Sequence, residues 1–218
     1  DGVSNDSAAF RMLLSTRWDA YCEEQVAREI LIPVGTYILT TDTTVPPYTN
    51  LYFYINSPRK IRGQGWGSKI KFTNTEYVGT HGAIFVSRNN YVTFEDLWFD
   101  GGDSLNTTDI NSGGGGTIGI VIDGRGATAI FNHVKVTNFM AGIKVSENTA
   151  DTLFTHLVLN DCEVRATTLG ILHEGNPTTG TATIYQGSIN IKGGFYSQSL
   201  MLNTNHSQHK VYNHEFCA

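Results

Sequence analysis

The sequence predicts an all-β chain wound as a right-handed parallel β-helix with three strands per coil and an N-terminal capping α-helix. The first observation behind this is a phrase that keeps returning. GIVID at 119–123, GIKVS at 142–146 and GILHE at 170–174 share one frame with AIFVS at 83–87 and SLMLN at 199–203. Their second positions are Ile84, Ile120, Ile143, Ile171 and Leu200; their fourth are Val86, Ile122, Val145, His173 and Leu202. Side chains alternate across a strand, so these positions form inward columns and the polar fifth position faces out. The phrases begin 36, 23, 28 and 29 residues apart, the recurrence expected of a stacked array.

The second observation is another family of strands lying between members of the first. VTFEDLWFDG at 92–101 aligns with AIFNHVKVTN at 129–138, LVLNDCEVRA at 157–166, SINIKGGFYS at 188–197 and HKVYNHEFCA at 209–218. Each is an apolar pair, a polar bend and a second alternating strand. The buried positions expected after the bends are Phe99, Val136, Val164, Phe195 and Phe216. One coil cannot bury its own apolar column, but coils stacked about 4.8 Å apart can. An antiparallel sandwich would instead need Asn-Gly or Asp-Gly hairpin turns, which are almost missing where it would require them.

Composition is the third observation. With 40% hydrophobic and 16% charged residues the 218-residue chain can bury a core and is not disordered. Its 23 glycines against 5 prolines suit a turn-rich β chain. The net charge of -5 argues against a nucleic-acid partner, which would want clustered Lys and Arg. No apolar run reaches the length of a membrane span, and the first residues are not a signal peptide. The chain opens inside a motif and closes in mid-coil at Phe216, so a trimmed piece of a longer protein is expected.

In chain order, residues 1–28 form the capping region. Asp6 or Ser7 can cap a helix in which Phe10, Leu13, Leu14, Trp18 and Tyr21 recur at helical steps. One apolar stripe needs a surface to cover, and the open end of a strand stack needs covering. Residues 29–80 hold the first coils. ILIPVGTYIL at 30–39 reads as strand, Pro-x-Gly turn and strand. GQGWG at 63–67 is followed by SKIKF, a strand rather than a helix, so it reads as a turn between coils and not as a nucleotide loop. Residues 81–218 are the regular coils of what is expected to be a single domain. Within them SGGGGT at 112–117 lacks a Gly-Lys-Ser ending and reads as a flexible loop. The stretch 101–116 is the longest interruption, and long loops on a rigid stack are where binding usually lives. Of three cysteines, Cys22, Cys162 and Cys217, at least one is unpaired and none has metal-ligand spacing. Cys162 reads as a small core residue; neither a disulfide scaffold, a metal nor a cofactor is expected.

DGVSND with an alanine-phenylalanine helix, then IPVGTYIL, then IRGQGWGSKIKF, resembles the opening of the pectate-lyase-like superfamily of single-stranded right-handed β-helices. The likeness is closest to the branch of phage tailspikes and capsule depolymerases, by motif over the first 72 residues and by repeat pattern beyond. It implies a bacterial surface polysaccharide as partner, a homotrimer, and a virion (phage tail) or secreted, extracellular location. The outer ladder Phe85, Val121, Leu172 and Met201 would suit a trimer, since these side chains otherwise face water. No membrane insertion is expected.

Outward positions of successive coils become neighbours at multiples of about 4.8 Å. The polar ends of the first strand family then read Ser87, Asp123, Ser146, Glu174, Asn203. Asp123 and Glu174, two coils apart, have backbones roughly 10 Å from one another. An inverting glycosidase holds a water between carboxyl groups about 6.5–9.5 Å apart. Asp123, Glu174 and the neighbouring Glu147 are the catalytic candidates. A second ladder reads Trp98, Lys135, Glu163, Gly194, Glu215, flanked by Asp100, Thr137, Arg165, Tyr196 and Cys217. Here Trp98 and Tyr196 are candidate sugar-stacking residues and Glu163 a candidate polar contact; Lys135 with Glu163, and Asp100 with Arg165, read equally well as surface ion pairs. Lys144 and Arg125 join the substrate-binding candidates. The lyase mechanism proper needs clustered acidic ligands for calcium and a basic residue to take the proton. Serines flank Asp123, so that cluster is not visible, and a lyase would have to use Lys144, Arg125 or a tyrosine. The expected activity is hydrolysis of the polysaccharide. The alternatives are a secreted monomeric polysaccharide lyase or hydrolase, and a non-catalytic β-helix adhesin.

Overall fold

A computed structural model describes residues 6, 9–10, 29–39, 53–55, 58–72, 83–86, 90–102, 118–123, 127–147, 155–175, 187–203, 208–212 and 215–217. The strands succeed one another in coils. The first holds β1 (Glu29–Leu31), β2 (Gly35–Leu39) and β3 (Phe53–Ile55). The second holds β4 (Arg59–Arg62), β5 (Ser68–Phe72) and β6 (Ile84–Val86). β7 (Tyr91–Glu95), β8 (Trp98–Asp100) and β9 (Ile118–Asp123) make the third. β10 (Thr128–Asn132), β11 (Lys135–Thr137) and β12 (Ala141–Glu147) make the fourth. Two coils follow in which the second and third strands fuse: β13 (Thr155–Asn160) with β14 (Glu163–Gly175), and β15 (Gly187–Lys192) with β16 (Phe195–Asn203). β17 (Gln208–Tyr212) and β18 (Glu215–Cys217) end the described chain.

Every pairing is parallel and joins equivalent strands of neighbouring coils. The first face runs β1-β4-β7-β10-β13-β15-β17. The second runs β2-β5-β8-β11 onto the start of β14, then β16 and β18; the third runs β3-β6-β9-β12 onto the end of β14. Because β14 and β16 cross the corner, these two faces form one 11-stranded sheet. The chain is all-β, three parallel faces cycling in register as in a three-sheet parallel β-helix.

The inward columns explain the register. Ile84 pairs with Ile120, Ile120 with Ile143, Ile143 with Ile171, and Ile171 with Leu200. The first four are at most 1% exposed. On the first face Ile61, Phe94, Phe131, Leu159 and Ile191 stack the same way. Phe94 lies 5.0 Å from Phe131 and meets Phe99 edge-on at 5.4 Å. Such columns bury apolar surface only because the coil above supplies the other wall.

The bend after the first face follows one plan in the third to sixth coils. Asp96, His133 and Asp161 have φ of 53°, 53° and 49°, and Gly193 follows at 65°. Asp and His are among the few side chains that enter this left-handed region readily. Their N–H groups donate to the carbonyl before the bend of the next coil, Asp96 to Asn132, His133 to Asn160 and Asp161 to Lys192, at 2.8–3.0 Å. Asn160 Nδ2 also donates to Asn132 Oδ1 at 2.8 Å, tying those coils by side chain.

One expected register is corrected here. The inward position after the Lys192-Gly193 bend belongs to Tyr196, which pairs with Val164 and Phe216, whereas Phe195 pairs with Glu163 on the outer side. The Gly193-Gly194 pair is the reason. Gly194 has φ of 90°, and a β-carbon there would fall 2.1 Å from the Cys162 carbonyl oxygen, so both glycines belong to the bend and the strand starts one residue later. Cys162 is the buried core residue expected, donating weakly to the Phe131 carbonyl at 3.4 Å. GQGWG links β4 to β5 within one coil rather than coil to coil.

The capping helix falls mostly outside the described residues. Of the described residues there, the Asp6 carbonyl accepts from Phe10 N–H at 3.1 Å. Asp6 also engages both backbone groups of Ile38, donating N–H to its carbonyl at 2.8 Å and accepting its N–H at 3.1 Å. Phe10 is buried against Tyr37 at 5.4 Å. Residues 103–117, including SGGGGT, also lie outside the described part.

Candidate functional site

The third face sets the backbone of the proposed catalytic ladder. Asp123 pairs with Ser146, Ser146 with Glu174, and Glu174 with Asn203, while Glu147 pairs with Gly175. Two carboxylate residues therefore stand two coils apart across a serine, about 10 Å backbone to backbone. All of them lie at or next to strand ends. Arg125 and Ser87 lie outside the described residues. The row beside this ladder reads Tyr54, Phe85, Val121, Lys144, Leu172, Met201. Val121 was expected to face water and does not: it is fully buried, although it is not part of the central apolar core. Lys144 beside it is 9% exposed, so the middle of this row is covered by the chain itself.

The outer side of the second face carries a continuous ladder of charge and indole. Lys69, Trp98, Lys135, Glu163, Phe195 and Glu215 pair in that order. The Lys69 ammonium sits 3.7 Å from the Trp98 ring centroid and Lys135 sits 4.9 Å from it, so the indole lies between two cations. Trp98 Nε1 donates to Thr137 Oγ1 at 2.8 Å. Glu163, buried, forms ion pairs through Oε1 with Lys135 at 3.0 Å and with Arg165 Nε at 2.7 Å. The Arg165 guanidinium in turn lies 4.7 Å from the Phe195 ring. Tyr196 is 1% exposed, and burial pushes its hydroxyl's pKa far up, so its ring cannot reach a saccharide on the outside.

At the far end of β8, Asp100 bonds Lys69 and accepts from Asn138 Nδ2 at 2.7 Å and Gly102 N–H at 3.0 Å. Burial alone would raise its pKa. The hydrogen bonds from Lys69, Asn138 and Gly102, with the Lys69 charge, outweigh that and hold the carboxyl below the ordinary value. Asp100 thus pairs with Lys69 rather than Arg165, which binds Glu163.

Two residues that sequence reasoning left in turns join this surface. The four-residue extension of the β4–β5 bend carries Trp66 across to the fourth coil, where its indole stacks on His133 at 4.9 Å and 23°. Trp66 Nε1 donates to the His133 carbonyl at 3.0 Å, and His133 Nδ1 meets Asp96 Oδ1 at 2.8 Å. The available signal was the repeat itself: in the aligned bends Asp96, His133 and Asp161 occupy one outward column.

Among the described residues no three His, Cys, Asp or Glu side chains come together as a metal site. No family model, curated protein or solved structure matches the chain.

Proposed function

We propose that the chain binds and hydrolyses a bacterial surface polysaccharide, capsule or O-antigen, as a phage tailspike-type depolymerase. Asp123 and Glu174 serve as the acid-base pair, with Glu147 adjoining. The observation that supports this most is the register that sets Asp123, Ser146 and Glu174 on consecutive coils. A backbone separation of about 10 Å is one that suits the carboxyl spacing of an inverting hydrolase, about 6.5–9.5 Å. One protonates the leaving oxygen while the other activates water. A virion location and a homotrimer belong to the same proposal.

Sugar release from capsule or lipopolysaccharide tests it. Asp123→Asn and Glu174→Gln should each lower turnover by about 10²-fold or more while leaving polysaccharide binding intact. Full activity in both variants sinks the site. Light scattering separates a trimeric tailspike from a monomeric secreted enzyme.

The second reading is a non-catalytic adhesin, favoured by one observation: Lys69, Lys135 and Arg165 on the second face are each already tied to a carboxylate. Binding with no sugar release by the unaltered protein selects it.

A further inference from the structure

On a chain whose formal net charge is -5, the outward side of the second face runs the other way. Lys69, Lys71, Lys135 and Arg165 share it with Asp100, Glu163 and, two coils beyond Glu163, Glu215. Asp100 answers Lys69. Lys135 and Arg165 share a single carboxylate oxygen, Glu163 Oε1, at 3.0 and 2.7 Å, so one positive charge is left over where the two cations meet. That oxygen is buried, and among the described residues no hydrogen bond reaches it. Charge alone therefore holds the pair there, and their N–H groups are aimed elsewhere. Both cations are also fixed from the side. Lys135 lies 4.9 Å from the Trp98 ring centroid and 5.1 Å from that of Trp66, and the Arg165 guanidinium lies 4.7 Å from the Phe195 ring. Arg165 is the open member of the group: its side chain is 57% exposed, that of Glu163 11%.

We propose that Arg165 and Lys135 seat one carboxylate of an acidic sugar in the polysaccharide, with Glu163 as the buried counter-charge that keeps the two cations together. Nε is the Arg165 atom beside Glu163, which leaves the terminal edge of the planar guanidinium to meet a planar carboxylate. One carboxylate cancels the one surplus charge. Cations that are clustered and packed before the ligand arrives lose little side-chain freedom when it binds. A neutral sugar gains nothing from the surplus, so the seat discriminates by charge. It rests on the polysaccharide reading above but stands on the second face, whereas Asp123 and Glu174 stand on the third.

The test uses the whole chain and a panel of capsular hexasaccharides that contain uronic acids, each beside its own carboxyl-reduced, neutral form, titrated calorimetrically at low ionic strength. The unaltered protein should bind an acidic member about tenfold or more tighter than its reduced form, a comparison that needs no variant. Arg165→Gln, at an exposed position, should lose that preference and bind both forms alike. Arg62→Gln removes an equal charge from the first face, where the side chain is 44% exposed, and should keep the preference. Inorganic phosphate titrated alone should bind at least tenfold more weakly than the acidic hexasaccharide. The seat is overturned if reduced forms bind as tightly as acidic ones, if Arg165→Gln keeps the preference, if Arg62→Gln loses it equally, or if phosphate matches the sugar. Any of these results with sugar release intact removes the seat and leaves the depolymerase proposal standing. Absence of both binding and release across the panel removes both.

Discussion

Replacing Asp100 separates what charge contributes to the stack from what shape contributes. Its side chain is 4% exposed and gathers Lys69, the Asn138 amide and the Gly102 N–H at the place where the chain leaves the second face. Asp100→Ala strands a cation and an amide together. Breaking one side of a buried pair costs about 3–5 kcal/mol, and since the Lys69 side chain keeps 21% exposure the lower end, about 3, applies. Asp100→Asn keeps the shape and an acceptor for Gly102 but removes the charge, at about 2 kcal/mol. The pH dependence distinguishes the two contributions. A carboxyl held below its ordinary value of 3.8 stabilises the fold fully above that value and loses its contribution as pH falls through the lower folded value. Urea unfolding at pH 7, 5 and 3, extended toward pH 2, should therefore show the gap between the unaltered protein and Asp100→Asn constant down to about pH 4 and then closing. A gap that stays constant to pH 2 refutes the charge argument; one absent at pH 7 refutes the burial argument as well.

Gly142 stands where the third face begins, and a β-carbon there would fall 2.6 Å from Val164 Cγ1 and 2.7 Å from the Gly170 carbonyl oxygen. Gly142→Ala should cost about 1–3 kcal/mol by urea unfolding, and a neutral result would show that the corner is looser than drawn. Burial pushes the Cys162 thiol pKa up to about 12, so at pH 8 roughly one molecule in 10,000 carries the thiolate. Iodoacetamide followed by peptide mapping should leave Cys162 unlabelled until denaturant is added; rapid labelling in the folded protein would contradict its place in the core.

How far the fold could be read in advance follows from how a stacked coil is made. The columns Ile84–Ile120–Ile143–Ile171 and Phe99–Val136–Val164 were legible because each is set by a two-residue alternation repeated at every turn, a pattern internal to the strand. The carboxylate order Asp123, Ser146, Glu174 followed from the same register. The slip came at Phe195 and Tyr196, where two glycines lengthened the bend: apolarity alone favoured Phe195 for the inside, and only the steric limits around Gly194 fix Tyr196 there.

The sequence by itself determined that this chain is a stack of three-stranded coils and which residues share each ladder, because alternation and repeat are one-dimensional properties. Only the tertiary structure decided which outward side chains remain available. Trp66 meets His133 across 67 residues, Lys69 and Lys135 close over Trp98, and Val121 is covered although its strand position points outward. Those outcomes depend on bend length and on lateral reach between coils, distances that no single strand encodes.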